Sequence, residues 1–318
     1  MAPYAIAIIG GGVLAQERDL PALNKISDFN VVGVAQLLGD KRAEAADFDS
    51  LVARDPRWPA LDAVAVCTPP ETRYKLARAA IDSGMHVILE GRPTRIRGEI
   101  DELTAFAHSR GKSIYTAWPL QTLPAVAEAK NRLAKAKVRF VSVYLNENMG
   151  EWFRLRGWSS ESQTLGIFEP GLHVLSALTK ILPDHVLVES AFLGYARGVK
   201  TPQYPRDLAA PSSAYLTLKV AAPHNGHSHI NAEFNWNQAG VNGWAIEVET
   251  DQNMSVRLTE RGAILHVDGL KVVDSPDTSC EAAYRHFSQL IERGSSEIDA
   301  SAIDLVDAAF SVGVNVTR

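Results

Sequence analysis

The sequence contains little cysteine, no long apolar run and no excess of positive charge. Its 318 residues include 2 cysteines, Cys67 and Cys280, far apart in the chain. Cys67 lies in an apolar run, which is typical of a small buried thiol rather than of a bridge or a ligand. We therefore expect a reducing, cytoplasmic location.

The charge balance excludes one class of partner. Lys plus Arg number 32 against 37 Asp plus Glu, a formal charge of -5, so no basic field exists to collect phosphate backbones and no nucleic acid partner is expected. Membrane spans need roughly 18 apolar residues in a run, and no segment approaches that length, so no membrane association is expected. Met1 is followed at once by an apolar strand pattern without a basic leader, so no secretory signal is expected.

Several catalytic motifs are also missing. The chain has neither a Gly-x-Ser-x-Gly elbow nor a P-loop lysine, which excludes the common hydrolase and kinase patterns. His224, His227 and His229 cluster without cysteines or carboxylates at ligand spacing, so no metal site is expected.

What is present is an ordinary globular composition, 46% hydrophobic and 22% charged, in a chain long enough for two domains. The first third alternates short, continuously apolar runs with helical patterns, which is typical of parallel strands covered on both faces. The predicted strands are 4–9, 30–35, 63–67, 87–90 and 113–116. We therefore predict an α/β fold with a Rossmann-type, doubly wound parallel sheet over residues 1–118.

After Trp118 the pattern changes to period-two alternation, which is typical of a sheet with one wet or partner-covered face. The predicted strands include 138–146, 214–220, 229–236, 244–250 and 255–259. Asp268-Gly269 between two apolar runs predicts a hairpin turn. We predict an α+β domain over residues 119–318 with a large open, mainly antiparallel sheet.

A glycine-rich motif follows the first strand and begins a helical pattern: Gly10-Gly-Gly12-Val-Leu-Ala15. In this context Gly10 permits a tight turn, Gly12 admits a pyrophosphate and Ala15 packs the helix closely on the sheet. A plain glycine-rich turn is the alternative. The second strand ends near Gln36. The sequence has there neither the acidic residue that usually binds the ribose of NAD nor the arginine that usually binds the 2′-phosphate of NADP, so the choice between NAD and NADP stays open.

The chain resembles the glucose-fructose oxidoreductase and inositol dehydrogenase family, and within it the bacterial L-arabinose and D-galactose 1-dehydrogenases. The segments that carry the resemblance extend over nearly the whole length: 7–12, 20–22, 62–70, 86–90, 118–126 and 166–183. The resemblance implies a pyridine nucleotide cofactor and a nicotinamide that lies along the Thr68-Pro69 turn and the strand end at Glu90. The expected cofactor-binding residues are Gly10, Gly12, Val13, Leu14, Gln36, Thr68, Pro69 and Glu90.

The chain departs from these relatives where they carry a lysine after the strand-end glutamate. Here the sequence reads Glu90-Gly91-Arg92-Pro93, so the lysine position is Gly91 if the strand ends are aligned, or Arg92 if the prolines are. Arg92 is a permanent cation, so it can steady an oxyanion or bind an anion but cannot act as a base near neutral pH. A phosphate or surface contact is the alternative for Arg92.

The relatives' active-site aspartate corresponds here to Glu169, and His173 matches the histidine of the wider family. Four residues apart on a helix, the two share a face and are competent proton acceptors. A helix-surface ion pair is the alternative. Glu147, Trp152 and Trp118 are the expected sugar-binding residues, with a packing role as the alternative for the tryptophans.

Two functional hypotheses follow. The first is an NAD(P)-dependent dehydrogenase that oxidises C1 of a pyranose to a lactone, with Glu169 or His173 as proton acceptor, supported by Arg92. The second is a dinucleotide-binding sensor or ligand-binding protein that no longer oxidises sugars, because a glycine, Gly91, occupies the lysine position. The open sheet and the resemblance further predict a homodimer.

Overall fold

Two sheets organise the chain in a computed structural model that describes residues 2–35, 59–94, 96–148, 165–195, 210–220, 228–236 and 243–317. Two compact units contain one sheet each. The first unit is built mainly from Met1–Pro119 and Thr278–Ala300, and the second mainly from segments of Leu120–Asp277 together with Ser301–Arg318.

The sheet of the first unit has five parallel strands in the order β2-β1-β3-β4-β5. Its strands are β1 (Tyr4–Ile9), β2 (Phe29–Ala35), β3 (Ala63–Val66), β4 (His86–Glu90) and β5 (Ile114–Ala117). β3 and β5 are buried at every position, and β1 and β4 at most positions, as the continuous apolar runs predicted. The doubly wound parallel sheet is confirmed.

Helices cover both faces of this sheet. They are a π-helical turn (Ala15–Asp19), α1 (Leu20–Asn24), α2 (Pro70–Asp82), α3 (Arg97–Ser109) and α6 (Ser279–Arg293). One apolar core joins the sheet to α1 and α6, with Phe29 and Phe287 stacked at 5.8 Å between ring centroids. The other joins it to α2 and α3 through residues such as Leu76 and Leu103.

The second unit holds a nine-stranded, mainly antiparallel sheet in the order β13-β12-β11-β10-β6-β9-β8-β7-β14. The strands are β6 (Val138–Asn146), β7 (Val186–Tyr195), β8 (Ser213–Val220), β9 (His229–Asn235), β10 (Gly243–Thr250), β11 (Ser255–Thr259), β12 (Ile264–Val267), β13 (Leu270–Asp274) and β14 (Val314–Thr317). Its helices are α4 (Pro124–Leu133), α5 (Phe168–Ile181) and α7 (Ser301–Val312), with short 3₁₀ turns at Pro119–Thr122 and Glu260–Gly262. β12 and β13 form the predicted hairpin, with Asp268 and Gly269 at φ 50° and 78°.

Two features of the second half differ from the sequence prediction. Residues 278–300, expected in the second domain, pack with the first unit, because the apolar side of α6 completes the core on one face of the parallel sheet. β14, which was not predicted, pairs in parallel with β7 at the sheet edge. No helix within the described part of the chain has the length and apolar character that crossing a membrane requires.

Candidate functional site

The carboxyl edge of the parallel sheet contains a topological switch point. β1 lies between β2, which follows it in the chain, and β3, so the connections from β1 and β2 leave in opposite directions. In doubly wound sheets ligands bind in the crevice outside such a point. The residues there are Gly10 after β1 and Cys67-Thr68 after β3, and the Cys67 N–H donates to the Ile9 carbonyl at 2.8 Å.

Gly10 is a position that only glycine satisfies. Its φ is +102°, and a Cβ atom there would lie 3.0 Å from Thr68 Cγ2 and 3.1 Å from the Cys67 carbonyl. The turn after β1 therefore packs directly against the turn after β3. The close packing and the left-handed φ explain why the chain has glycine at this position.

Gly12 differs from Gly10, because it is exposed and a Cβ atom on it would meet nothing within 4 Å. Helical structure begins at Val13 and runs through residues 13–24, with Val13 and Leu14 half-buried. The open space above Gly12, at the start of this helix, fits the close approach of a pyrophosphate. Gln36 lies outside the described residues.

Thr68, Pro69 and Glu90 line two turns that a buried guanidinium joins. Thr68 is 2% exposed, and its hydroxyl oxygen accepts a hydrogen bond from the Thr72 hydroxyl at 2.9 Å. Arg73 Nε donates to the Thr68 carbonyl at 2.6 Å, and its Nη1 donates to the carbonyls of Glu90 and Arg92. Arg73 Nη2 lies 3.7 Å from the Glu90 carboxylate. Sequence reasoning missed Arg73, because its position in an amphipathic helix carries no motif.

The residues after Glu90 form a turn that requires glycine. Gly91 has φ +68°, and its N–H donates to the Ala117 carbonyl at 2.9 Å. A lysine at this position would be strained in the left-handed region. Arg92, only 7% exposed, is a buried cation rather than a surface contact.

A small pocket of the first unit is lined mainly by apolar residues, together with Glu90, Asp19 and Tyr284. The Tyr284 hydroxyl donates to Asp19 Oδ1 at 2.8 Å. Arg18 Nη2 lies 3.1 Å from Cys280 Sγ, but burial raises the pKa of the Cys280 thiol to about 11. Burial also raises the pKa of Cys67 well above its ordinary value, so both thiols are protonated at neutral pH and are not nucleophiles.

In the second unit Glu169 and His173 lie one turn apart on α5. Glu169 is 5% exposed and His173 is half-buried. Glu169 Oε1 accepts the Leu165 N–H at 3.1 Å, so one carboxylate oxygen secures the start of the helix. The preceding Gly166 has φ +61°, and a Cβ atom there would lie 2.1 Å from the Pro211 carbonyl oxygen. A glycine-dependent turn thus fixes where α5 begins.

Glu147, the residue after β6, forms an ion pair that the sequence did not predict. Its Oε1 lies 3.0 Å from Arg261 Nη2; the Glu147 side chain is 6% exposed and that of Arg261 56%. Arg261 is the middle residue of three consecutive left-handed positions, Glu260 at φ 49°, Arg261 at 55° and Gly262 at 84°. Two non-glycine residues in that region are costly, and such strain concentrates at functional positions.

Of the two tryptophans expected to bind the sugar, the structure describes only Trp118. Trp152 lies outside the described residues. Trp118 is 1% exposed, and its indole N–H donates to the Asp299 carbonyl at 2.8 Å. The ring is therefore buried and its one donor bonds a carbonyl of the first unit, which favours the packing role for Trp118. Within the described ranges, no three His, Cys, Asp or Glu side chains are grouped so that they could hold a metal ion.

The doubly wound sheet, the glycine turn at its switch point and the open helix start define a dinucleotide-binding protein. Comparison with known proteins agrees. Residues 4–118 match the family described as oxidoreductases with an NAD-binding Rossmann fold. A galactose 1-dehydrogenase from Pseudomonas fluorescens is 30% identical over 318 residues, which is 100% of this chain and 98% of that protein.

Solved structures show the same architecture. The crystal structure of a D-galactose-1-dehydrogenase from Rhizobium etli has a TM-score of 0.86 and 30% identity, and the match covers 100% of this chain and 97% of the other. A 3-ketoreductase from Actinomadura kijaniata, solved with TDP-benzene and NADP, has a TM-score of 0.78 at 17% identity and covers 99% of each chain. The chain belongs to the oxidoreductase family with the NAD-binding Rossmann fold, and its cofactor is a pyridine nucleotide, NAD or NADP.

Proposed function

We propose that this protein is an NAD(P)-dependent sugar dehydrogenase that oxidises C1 of a pyranose of the D-galactose or L-arabinose type to the lactone. The observation that carries the proposal is the full-length similarity, at 30% identity, to a galactose 1-dehydrogenase. The glycine turn at the switch point supports it, because the open space at Gly12 fits the pyrophosphate of the cofactor. The bound nicotinamide would take the hydride from C1.

Proton transfer, charge stabilisation and sugar binding are carried out by side chains of the protein. Glu169 or His173 accepts the proton of the C1 hydroxyl, because both are competent acceptors on one face of α5. Arg92 steadies the developing negative charge on that oxygen without moving a proton. Glu147 and Trp152 hold the sugar ring by hydrogen bonds and stacking.

Sugar turnover tests the proposal directly. Purified protein is incubated with NAD or NADP and either D-galactose or L-arabinose, and the absorbance of the reduced nicotinamide is followed. We expect lactone formation with at least one pair. Losing one proton-transfer group costs about two to four powers of ten in rate, so Glu169→Gln and His173→Asn identify which residue accepts the proton.

One observation favours a second candidate, a protein that binds the dinucleotide without oxidising sugar. When the strand ends are aligned, Gly91 stands where the resembling dehydrogenases carry a lysine, and its φ of +68° suits glycine. Arg92→Lys introduces a titratable amine next to that position without straining the glycine. Tight nucleotide binding with no sugar oxidation, in both the wild type and this variant, would favour a sensor.

We also propose that the protein forms a homodimer through the open face of the nine-stranded sheet and that it acts in the cytoplasm. Exposed aromatic side chains on that face support the first proposal. The two cysteines, both unbridged, support a reducing compartment.

A further inference from the structure

Arg73 is the most deeply buried charged side chain among the described residues, with 2% of its surface exposed. It lies in the first turn of α2, which begins at Pro70. The amino terminus of a helix carries partial positive charge, so a cation there is disfavoured by the helix itself. The position of Arg73 must therefore be stabilised by groups outside α2.

Those groups come from two turns at the carboxyl edge of the sheet. Arg73 donates to the Thr68 carbonyl after β3 and to the Glu90 and Arg92 carbonyls after β4. The Glu90 carboxylate, 3.7 Å from Nη2, supplies the countercharge. A planar guanidinium presents several donors in a fixed geometry, so one side chain sets the spacing of both turns.

Gly91 is part of the same arrangement. The carbonyls on either side of it, those of Glu90 and Arg92, both accept from Arg73 Nη1. The left-handed φ of Gly91, +68°, lets the chain turn around that nitrogen, and its own N–H bonds the Ala117 carbonyl at 2.9 Å. The turn after β4 is thus built around the guanidinium.

We propose that Arg73 is a positioning residue for the nicotinamide half of the cofactor. It fixes the backbone of the Thr68-Pro69 turn and of the Glu90–Arg92 turn before the ligand arrives, and a pre-ordered wall lowers the entropy lost on binding. The ADP half is expected at the Gly10–Leu14 turn and near Gln36, whereas the carbonyls that Arg73 Nε and Nη1 bond belong to Thr68, Glu90 and Arg92. The inference rests on the proposed cofactor site and deepens it.

Two ligands that differ only in the nicotinamide separate this role from a purely structural one. In Arg73→Lys the charge stays, but a single nitrogen cannot reach three carbonyls from two turns. Calorimetry is expected to show about ten-fold weaker binding of NADH or NADPH, because one or two charge-assisted hydrogen bonds that order the turns are lost. The affinity for ADP-ribose or its 2′-phosphate should stay unchanged within about two-fold.

Arg78→Lys is the matched control, because Arg78 is an exposed residue of α2 that pairs with Glu102 at 3.4 Å. Arg78→Lys should change neither the affinity for NADH or NADPH nor that for ADP-ribose or its 2′-phosphate. Gly91→Ala is the second variant, for use if Arg73→Lys unfolds; it disturbs the same turn with the guanidinium intact and should give the same selective loss.

Equal loss of both ligands in a folded variant, or no loss of either, would overturn the role of Arg73. Failure of the wild type to bind any of these ligands would instead reject the proposed cofactor site, and the inference with it.

Discussion

At the scale of single residues, the two glycines of the first turn have different reasons to be glycine. Gly10 combines φ +102° with close packing against Cys67 and Thr68, whereas Gly12 is exposed with open space around it. The motif predicted both positions. It assigns the tight turn to Gly10 and the approach of a pyrophosphate to Gly12, which fits the packed surroundings of the first and the open space around the second.

That difference gives a prediction for Gly10→Ala and Gly12→Ala. The first should destabilise the protein by about 1–3 kcal/mol, because alanine is strained at that φ and its methyl group meets Thr68. The second should unfold like the wild type yet bind NAD(P)H more weakly, because its methyl group occupies the space left for the pyrophosphate. Urea unfolding and calorimetry measure the two effects. Unchanged nucleotide affinity in Gly12→Ala would count against the site.

Arg261 gives a second prediction at this scale. Removing its guanidinium in Arg261→Ala leaves the buried Glu147 carboxylate without that partner, so the carboxylate proposed to bind the sugar loses its fixed orientation. We expect KM for the sugar to rise about ten-fold with kcat less affected.

Arg257→Ala is the matched control, because Arg257 pairs with Glu247 at 2.9 Å and both side chains are about half exposed. Equal KM changes in the two variants would remove any special role for Arg261.

The residues that sequence reasoning missed share one property. Arg261 meets Glu147 across 114 positions of the chain, and Arg73 contacts carbonyls on two separate turns. Neither relation has a local pattern. By contrast, Glu169 and His173 were proposed from the resemblance to the family, and their spacing of four residues predicts that they share one helix face.

At the scale of elements, burial periodicity decided what could be predicted. Continuous apolar runs identified the parallel strands, and period-two alternation identified most strands of the large sheet. The exposed strand β14 went unrecognised because it is short and its partner, β7, is distant in sequence. The π-helical turn before α1 has no periodic signal either.

His86, at the start of β4, supports a prediction about pH. Its Nδ1 accepts the Ser113 N–H at 2.9 Å beside β5, and burial, together with Lys112, lowers the pKa of His86 from 6.5 to about 4. Between those values the unfolded chain binds a proton that the folded chain does not, so His86 lowers the free energy of unfolding as pH falls from 6.5 toward 4.

The non-titrating His86→Asn should lose less stability over that interval, since an amide oxygen can still accept the Ser113 N–H. Urea unfolding gives the free energy of unfolding of both proteins at each pH. The difference between the two values removes the contribution of the titratable groups that they share. His108→Asn, at an exposed position of α3, serves as the control and should follow the wild type. Parallel curves for wild type and His86→Asn would show that His86 does not carry this dependence.

At the scale of the whole molecule, the large sheet leaves an apolar row on its open face. Tyr144, Tyr215, Phe192 and Val314 occupy successive strands in register, with Glu233 between the two tyrosines. The four side chains are 41–57% exposed, with Tyr215 at 41% and Val314 at 57%. Large exposed apolar patches are rare on monomers and typical of interfaces.

The row crosses five adjacent strands. A second copy of the protein that packs through the same face would cover it, because a two-fold interface places the same residues of both copies in contact. We expect the wild type to sediment as a dimer at micromolar concentration and Tyr215→Glu to sediment as a monomer, because a carboxylate beside Glu233 would be desolvated and repelled in the interface. Ile96→Glu, at a 58% exposed apolar position of the first unit, should remain dimeric. A monomeric wild type at that concentration would mean that the row faces water or another partner, and a dimeric Tyr215→Glu would place the interface on a different surface.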